Sequence, residues 1–303
     1  MCISGSETLK TLSIFSPAKI NLFLAVTGRR ADGYHDLVSV VAPVEIGDTL
    51  RIEAGGGGEF ALECDDASVP AGEENLVLRA ARLFAEKTGW GGGARFVLEK
   101  RIPMGAGLGG GSSNAVAALR GLNSLAGEPL DGAKLAAVAA RLGSDCTLFL
   151  PGGPVVMRGR GERVELMSTE TAARLRGQRV LIFKPGFSIG TPWAYAQLAA
   201  SGGKNYLPAA EAEARLAAWL GDAQAPAESL LFNSFERPAF LKFPALPVLL
   251  DALGAGFGLS ARLSGSGSAC FALLPAGAAV EAVKSRIREA WGATAWVVET
   301  RIL

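Results

Sequence analysis

A glycine-rich segment carries the clearest chemical pattern in the sequence. The run PMGAGLGGGSSNAVAAL begins at Pro103, follows a strand-like stretch and leads into residues with helical spacing. Consecutive glycines let backbone N–H groups turn towards one ligand, and a helix N-terminus adds unpaired N–H groups and a positive dipole end. Ser112 and Ser113 add hydroxyl groups and suit an N-cap. We therefore predict a site for nucleotide phosphates, with a capped surface loop as the alternative.

The segment does not fit the common phosphate motifs well. Gly105, Gly107 and Gly110 satisfy the GxGxxG dinucleotide pattern, but a Lys-Arg pair and Pro103 precede them where that motif prefers an apolar strand. The GK[ST] of a Walker A loop and the HRD and DFG signatures of protein kinases are absent. An NAD oxidoreductase stays as an alternative that a lack of NAD binding would remove.

Three polar residues elsewhere are candidates for catalysis or substrate binding. Lys19 lies in the apolar strand-like run AKINLFL, where a lysine either reaches solvent or acts on a ligand. Asn21, two residues on, faces the same side of a strand. Asp145 follows a helix stop in GSD, where an aspartate is ordinarily a turn or cap residue. Phosphoryl transfer uses groups of these types to neutralise charge and to accept a proton.

The elements that must position these residues include both strands and helices. Period-two patterns predict strands at 12–28, 37–46, 49–53, 94–102 and 179–185, a strand–turn–strand from 148 to 156, two strands within 261–274, and a closing strand in TAWVVETRI. Helical spacing predicts helices at 75–89, 112–125, 132–142, 246–255 and 279–291. The tract 209–227 mixes helical and loop-like parts. The pattern indicates an α+β protein with domains at 1–165 and 166–303.

Composition narrows the class of protein. The 303 residues are 49% hydrophobic, which is typical of a soluble globular chain. A net charge of +1 gives no reason to expect nucleic acid or an anionic membrane as partner. The N-terminus lacks the pattern of a signal peptide, and no run reaches the ~20 apolar residues of a membrane span. The single His35 excludes a multi-histidine metal site, and four scattered cysteines without a CxxC pair favour a reducing cytoplasm.

At this point a family resemblance is recognisable. The segment PMGAGLGGGSSNA resembles the ATP loop of the GHMP kinases, which include galactokinase, homoserine kinase and mevalonate kinase. Four further stretches resemble the branch of that family that acts on a cytidine-diphosphate-linked methylerythritol in the non-mevalonate isoprenoid pathway: SPAKINLFLAVTGRRADGYHDL at 16–37, LGSDCTLFL at 142–150, KPGFSIGTPWAY at 184–195 and RLSGSGSACFA at 262–272. The resemblance covers nearly the whole chain apart from about 200–230.

The resemblance implies a fold and a reaction. The implied architecture is an α+β two-domain GHMP kinase, with an N-terminal domain like the second domain of ribosomal protein S5, a C-terminal ferredoxin-like domain, and the active site in the cleft between them. The implied reaction transfers the γ-phosphoryl of ATP, with Mg²⁺, to the 2-hydroxyl of the small-molecule substrate. Lys19 would lie beside the reacting hydroxyl and the phosphates, and Asp145 would accept the proton. The implied ATP-binding residues are Pro103, Met104, Gly105, Ala106, Gly107, Leu108, Gly109, Gly110, Gly111, Ser112 and Ser113.

The resemblance also implies a base-binding site. Tyr34 and His35 would meet the cytosine, Tyr195 would supply a ring on its other face with Trp193 as the competing residue, and Thr191 lies nearby. Asn21 would bind substrate or Asp145. A plain surface turn is the alternative for the Tyr-His pair, and a plain hairpin for the Gly-Ser turn 264–268.

Two features leave alternatives open. The family usually continues Asp-Val-Pro after the catalytic carboxylate, and this chain has Cys146 and Thr147 instead. The spacing of carboxylates defines no metal ligands, so phosphates and water are expected to hold the ion. A GHMP kinase for homoserine or a mevalonate, and a non-catalytic nucleotide-binding regulator, are the rival interpretations.

Overall fold

The computed structural model describes residues 10–303 and contains alternating strands and helices in that range. Its strands are β1 (Lys10–Arg29), β2 (His35–Gly55), β3 (Phe60–Cys64), β4 (Gly93–Glu99), β5 (Val155–Gly159), β6 (Arg163–Leu166), β7 (Arg179–Lys184), β8 (Phe232–Asn233), β9 (Ala261–Leu263), β10 (Cys270–Leu273) and β11 (Trp296–Arg301). Its helices are α1 (Leu76–Thr88), α2 (Gly110–Leu125), α3 (Gly132–Leu142), α4 (Thr169–Ala173), α5 (Thr191–Ala200), α6 (Ala209–Gly221), α7 (Glu236–Lys242), α8 (Ala245–Phe257) and α9 (Val280–Trp291). Short 3₁₀ turns occupy Thr147–Phe149 and Ala227–Leu230.

The described chain divides into two compact units. The first unit holds the described residues up to Ala18 together with Gly47–Met104 and Gly109–Leu150. The second unit holds Lys19–Ile46, Gly105–Leu108 and Pro151–Leu303. The long strands β1 and β2 therefore each contribute residues to both units.

In the first unit, β4 lies between β2 and β3. It pairs antiparallel with β2 (Thr49 opposite Glu99) and parallel with β3 (Phe60 opposite Ala94). Helices α1, α2 and α3 pack against one another. Each has apolar residues at helical spacing that are buried, and α1 is capped by Asn75, whose side chain accepts a hydrogen bond from the Val77 N–H.

The second unit contains an antiparallel sheet of four strands in the order β11-β7-β10-β9. Its central strands β7 and β10 are almost completely buried, which explains the continuous apolar runs at 180–183 and 270–273. In the same unit, β5 pairs with the first part of β2 (Leu37 opposite Gly159) and with β6. Strand β1 pairs parallel with β8, where Phe23 lies opposite Phe232.

Most predicted elements are confirmed, with ends shifted by a few residues, and the α+β class is confirmed. The two strands predicted at 37–46 and 49–53 form one strand, β2. The strand continues through Gly47 and Asp48, and the Asp48 carboxylate accepts the N–H groups of Arg101 and Ile102 at 2.7 and 2.8 Å. The short elements β3, β6, β8 and α4 and the helices α5 and α7 were not predicted.

Two further predictions were wrong in detail. Leu148 belongs to a 3₁₀ turn, and not to a strand, because β5 begins only at Val155. Helix α2 begins at Gly110 with Gly109 as N-cap, so Ser112 and Ser113 lie inside its first turn and do not cap it. The tract 209–227 contains both parts that the sequence indicated: helix α6 and the loop that follows it. The division at residue 165 stays a prediction.

Expectations about targeting and redox state fall partly on residues 1–9, including Cys2, which lie outside the described residues. Within the described range, Cys64, Cys146 and Cys270 are free thiols. No single helix among residues 10–303 has the length and hydropathy to cross a bilayer. Helices α7 and α8 reach those limits only when taken together, and they meet at an angle of 112°.

Candidate active site

The glycine-rich segment forms a tight turn that leads into α2. Gly105, Gly107 and Gly109 all have positive φ angles of 60–74°, a conformation that side chains disfavour. The backbone groups of Gly105, Gly109 and Gly110 are exposed or half-buried, whereas Ala106 and Leu108 are buried. The alternation anchors the turn through its apolar side chains and leaves its backbone accessible. This arrangement suits the binding of phosphate oxygens by N–H groups.

Gly107 is the most constrained residue of this turn. A Cβ at Gly107 would overlap the carbonyl oxygen of Ser264, because the two backbones lie in direct contact. The Ser264 hydroxyl donates to the Gly107 carbonyl at 3.2 Å, and the Ala269 N–H donates to the Ala106 carbonyl at 3.0 Å. The second unit thus holds residues 105–108 against the Gly-Ser turn that the sequence singled out.

A buried polar network lies beneath the start of α2 in the first unit. The Lys100 ammonium forms an ion pair with the fully buried Asp48 carboxylate. The Asn114 amide donates to Asp48 and to the Ser16 hydroxyl, both at 2.9 Å, and Ser16 donates to Ser113 at 2.8 Å. Since Asp48 also accepts two backbone N–H groups, its oxygens are fully engaged. The network ties β1, β2 and the chain before the glycine-rich segment to the first turn of α2.

Asp145 is half-buried in a turn of the first unit, between α3 and the 3₁₀ turn at Thr147–Phe149. The turn is closed by a hydrogen bond from the Cys146 N–H to the Gly143 carbonyl at 3.1 Å. Burial raises the pKa of the Cys146 thiol to about 11, while a hydrogen bond with Ser112 works in the opposite direction. Cys146 is therefore a neutral packing residue that connects the Asp145 turn to the first turn of α2. The replacement of the usual Val-Pro leaves Asp145 in a defined turn.

Lys19 and Asn21 lie side by side in the second unit, as their spacing predicted. The Lys19 ammonium donates to the Asn21 side-chain oxygen at 2.6 Å. The Asn21 amide donates to the Ser39 hydroxyl at 3.0 Å, and Ser39 donates to the Phe23 carbonyl at 2.6 Å. All three side chains are buried, so this chain of bonds fixes the lysine in one position. A Cβ placed on Gly265 would lie 3.2 Å from the ammonium nitrogen, so Lys19 contacts the Gly-Ser turn.

The Gly-Ser turn itself is held from two sides. The Asn233 amide donates to the carbonyls of Leu263 and Gly265 at 2.7 and 2.9 Å. On the other side, the hydroxyls of Thr191 and Ser266 are 2.8 Å apart. Thr191 is the first residue of α5 and is exposed. The turn is therefore a buried, cross-linked part of the unit, unlike a plain surface hairpin.

His35 is held between aromatic residues in the second unit. Its ring stacks on Tyr195 with centroids 4.9 Å apart and planes at 30°. Tyr195 in turn meets Phe235 edge to face. The His35 Nε2 atom lies 3.1 Å from the hydroxyl of Tyr206. Burial, followed by the nearby Arg29 cation, lowers the pKa of His35, so the imidazole is neutral at pH 7.

Tyr34 lies apart from this aromatic group. Its side chain is 59% exposed, and the Arg160 guanidinium lies 4.7 Å from its ring centre. The turn that carries it is closed by a hydrogen bond from the Arg30 N–H to the Tyr34 carbonyl at 2.8 Å. The structure therefore brings His35 and Tyr195 together and leaves the Tyr34 ring accessible on one face. Trp193, the competing residue, instead packs edge to face on Phe243.

Several residues of the site were missed by sequence reasoning. Tyr206 lies in the stretch where the resemblance is weakest, and Asn233 follows it on a two-residue strand. Asp48 and Lys100 were not singled out, because charged residues are common at the ends of strands. The position of Asp48 between two apolar strands was the one sequence feature that could have indicated a buried role.

The side chains of the described residues show how a divalent metal ion could be held. Among residues 10–303 there is no group of three or more histidine, cysteine or carboxylate side chains that could hold a metal ion. The Ser113 hydroxyl is buried and accepts a hydrogen bond from the Ser16 hydroxyl. A divalent ion would thus be held largely by the oxygens of the nucleotide phosphates and by water.

The sequence ranges that contain these residues match the two domains of a known enzyme family. Residues 75–155 match the family description "GHMP kinases N terminal domain", and residues 209–293 match "GHMP kinases C terminal". The first range contains the glycine-rich segment and Asp145, and the second contains Asn233 and the Gly-Ser turn. The two ranges cover more than half of the chain, and the chain is a GHMP kinase in fold and sequence. The α+β GHMP kinase fold expected from the resemblance is confirmed, and the location of the active site stays a prediction.

Curated relatives narrow the assignment. A 4-diphosphocytidyl-2-C-methyl-D-erythritol kinase from Synechococcus sp. (strain CC9902) is 39% identical over 86% of this chain and 87% of its own length. One from Prochlorococcus marinus (strain MIT 9313) is 37% identical over 89% and 86%. The crystal structure of a 4-(cytidine 5'-diphospho)-2C-methyl-D-erythritol kinase matches with a TM-score of 0.76 and 37% identity, covering 96% of this chain and 99% of that one. The chain belongs to the 4-diphosphocytidyl-2-C-methyl-D-erythritol kinase family.

A more distant structure shows how widely the fold is shared. Homoserine kinase from Cytophaga hutchinsonii matches with a TM-score of 0.71 at 19% identity, covering 99% of this chain and 98% of that one. At that identity the match supports the fold alone.

Proposed function

We propose that this chain transfers the γ-phosphoryl group of ATP to the 2-hydroxyl of 4-diphosphocytidyl-2-C-methyl-D-erythritol, producing the 2-phosphate and ADP. The observation that carries the proposal is the 37–39% identity to kinases of that name over 86–89% of the chain. The reaction places the enzyme in the non-mevalonate route to isoprenoid precursors. Its partners are small molecules, with no nucleic acid or membrane, and its proposed location is the cytoplasm, which the free thiols of Cys64, Cys146 and Cys270 favour.

The glycine-rich segment is the proposed nucleotide site, from Pro103 to Ser113. Positive φ angles at Gly105, Gly107 and Gly109 support this assignment, because they turn backbone N–H groups outward beside the N-terminus of α2. Bound Mg²⁺ would supply charge neutralisation on the phosphate oxygens. The described protein residues contribute backbone dipoles and the rigid support of the Asp48–Lys100–Asn114 network.

Lys19 and Asp145 are the proposed catalytic residues. The buried Lys19 ammonium, held by Asn21, would stabilise the charge that develops on the transferring phosphoryl group. The Asp145 carboxylate would accept the proton of the 2-hydroxyl as its oxygen bonds to the γ-phosphorus. The bond from that phosphorus to the bridging oxygen then breaks, and its electron pair leaves with ADP.

The cytidine end is proposed to bind at the aromatic residues of the second unit. Tyr34 offers an exposed ring face on which a base can stack, and the neutral His35 offers hydrogen-bonding atoms. Tyr195 fixes the His35 ring by stacking, and the exposed Thr191 hydroxyl is available beside the Gly-Ser turn.

An ADP-release assay tests the substrate. The wild-type chain with ATP and Mg²⁺ is expected to turn over 4-diphosphocytidyl-2-C-methyl-D-erythritol, with homoserine and mevalonate giving background rates. A chain that phosphorylates homoserine or mevalonate preferentially would overturn the proposal and favour the rival GHMP kinases. A chain that binds ATP but turns over none of the three would favour a non-catalytic regulator.

The Asp145→Asn variant tests the proton acceptor. Loss of a positioned general base lowers kcat by about 10²–10⁴-fold. ATP binding, measured by calorimetry, should change little, because the amide keeps the shape of the side chain. Turnover within a few-fold of wild type would remove Asp145 from the base role.

A further inference from the structure

Tyr206 makes a contact that neither the motifs nor the proposed roles account for. Its hydroxyl lies 3.1 Å from His35 Nε2, and its ring meets the imidazole edge to face with centroids 5.8 Å apart. Tyr206 lies between α5 and α6, 171 residues away from His35 in sequence. The side chain is half-buried.

The backbone around Tyr206 is anchored without its hydroxyl. The Leu207 N–H donates to the Val26 carbonyl of β1 at 3.1 Å, and the Tyr206 N–H donates to the Gly203 carbonyl at 3.1 Å. Leu207 itself is buried. The segment therefore has backbone anchors that do not involve the hydroxyl, and the hydroxyl lies within hydrogen-bond distance of His35 Nε2.

The contact has a consequence for the imidazole. A neutral imidazole carries one proton, and the hydrogen bond at one ring nitrogen decides which nitrogen holds it. Burial raises the pKa of the Tyr206 phenol, so the group keeps its proton and is able to donate. A phenol donates more strongly than it accepts, since its lone pair is shared with the ring. Donation to Nε2 leaves the imidazole proton on Nδ1.

We propose that Tyr206 is a positioning residue that holds His35 as the Nδ1-protonated tautomer and so makes this histidine select cytosine over uracil. Cytosine has an acceptor at ring N3, where uracil has an N–H donor. A fixed N–H donor on the imidazole complements the acceptor and opposes the donor. The inference rests on the proposed function, in which His35 meets the base of the substrate.

The chain offers a direct measurement of the tautomer. It has one histidine, so every imidazole signal of untagged protein in a long-range ¹H–¹⁵N correlation spectrum belongs to His35. We expect a protonated Nδ1 and an unprotonated Nε2 in the wild type at pH 7.5, and a mixture of both tautomers in Tyr206→Phe. A wild-type spectrum with the proton on Nε2 would overturn the inference.

Kinetics test the selection itself. The kcat/KM ratio for the cytidine- over the uridine-diphosphate-linked methylerythritol should fall about tenfold or more in Tyr206→Phe, since the donor pattern is then no longer fixed. The KM for ATP should stay near its wild-type value. Thr88→Val, which removes a half-buried hydroxyl bonded to the Phe84 carbonyl at 2.8 Å in the first unit, is the matched control and should keep the ratio.

The outcomes separate this inference from the function on which it rests. A wild type that prefers the cytidine substrate, with an unchanged ratio in Tyr206→Phe, overturns the role of Tyr206 alone. A wild type that turns over homoserine or mevalonate and neither nucleotide-linked substrate overturns the proposed function and the selection of cytosine with it.

Discussion

The side chains of Lys100 in the first unit and Lys19 in the second unit are both buried, and their neighbours differ. The Lys100 side chain, 4% exposed, is ion-paired with Asp48, a carboxylate that is fully buried and also accepts two backbone N–H groups. The Lys19 ammonium donates a hydrogen bond to the side-chain oxygen of Asn21 and contacts the Gly-Ser turn. Lys100 belongs to a closed network that supports α2, whereas Lys19 is held beside Gly265 of the buried Gly-Ser turn, where a side chain would be strained. Burial alone therefore does not indicate the role of a lysine, whereas the chemical type of the neighbouring groups does.

The Lys100→Met variant should show the largest effect on stability. Removing the ammonium leaves the buried Asp48 carboxylate without its ionic partner, which costs about 3–5 kcal/mol. The free energy of unfolding, from urea titration at neutral pH, should fall by that amount. The double variant Asp48→Asn/Lys100→Met should recover part of the loss, because the buried charge is then removed. A fall below about 1 kcal/mol in the single variant, the range of an exposed pair, would break the comparison.

The matched Lys19→Met variant should affect turnover more than stability. Loss of one group that stabilises transition-state charge lowers kcat by about 10²–10³-fold. Its free energy of unfolding should fall by less than that of Lys100→Met, because Lys100 is the ionic partner of the fully buried Asp48 carboxylate. Steady-state kinetics and urea unfolding on both lysine variants measure the contrast. Equal activity per folded molecule in the two variants would contradict the separation of tasks.

A second contrast, between Tyr34 and Tyr195 of the proposed base site, gives a smaller effect. Tyr34 is exposed and available for stacking, whereas Tyr195 is already stacked on His35. Stacking of a base on an aromatic ring contributes about 1–3 kcal/mol. Tyr34→Ala should therefore raise the KM for the cytidine substrate about 5–100-fold, with a much smaller change in the KM for ATP. Equal increases in both constants would count against stacking on Tyr34.

The smallest expected effect is a pH dependence of stability in the second unit. Burial and Arg29 lower the pKa of His35 in the folded state, so the unfolded chain takes up its proton at a higher pH. The free energy of unfolding should fall as the pH drops below about 6.5, the ordinary histidine value, and level off below the folded-state pKa. Urea unfolding at about pH 7.5 and about pH 5.5 should show a decrease in the wild type that is smaller in His35→Gln. Identical decreases would show that other groups cause it.

Sequence reasoning predicted local features well and long-range contacts poorly. It found helices α1, α3, α8 and α9 from their apolar spacing, and it placed Lys19 and Asn21 on one face of β1. It missed that Gly47 and Asp48 continue β2, because the Asp48 side chain satisfies backbone N–H groups more than 50 residues away. It also missed α5, whose apolar residues follow no single face.

The candidate site divides in the same way. The glycine-rich segment and the GSD turn were recognisable because their requirements, positive φ angles and a helix stop, are properties of consecutive residues. The residues that contact them in the fold could not be recognised from the sequence. Nothing in the sequence pairs Tyr206 with His35, Lys100 with Asp48, or Asn233 with the Gly-Ser turn.

The sequence by itself determined the class of this protein: an α+β kinase chain with a phosphate-binding glycine segment and a lysine beside an asparagine. The kinase class follows from the resemblance of five stretches to a known family, and the glycine segment and the Lys-Asn pair follow from backbone conformation and strand alternation. Only the tertiary structure decided which lysine is structural, which tyrosine hydrogen-bonds to the single histidine, and why Gly107 tolerates no side chain. Those outcomes depend on which distant segments come into contact. They also depend on whether a buried charged group has an ionic partner and whether a buried polar group has a hydrogen-bond partner.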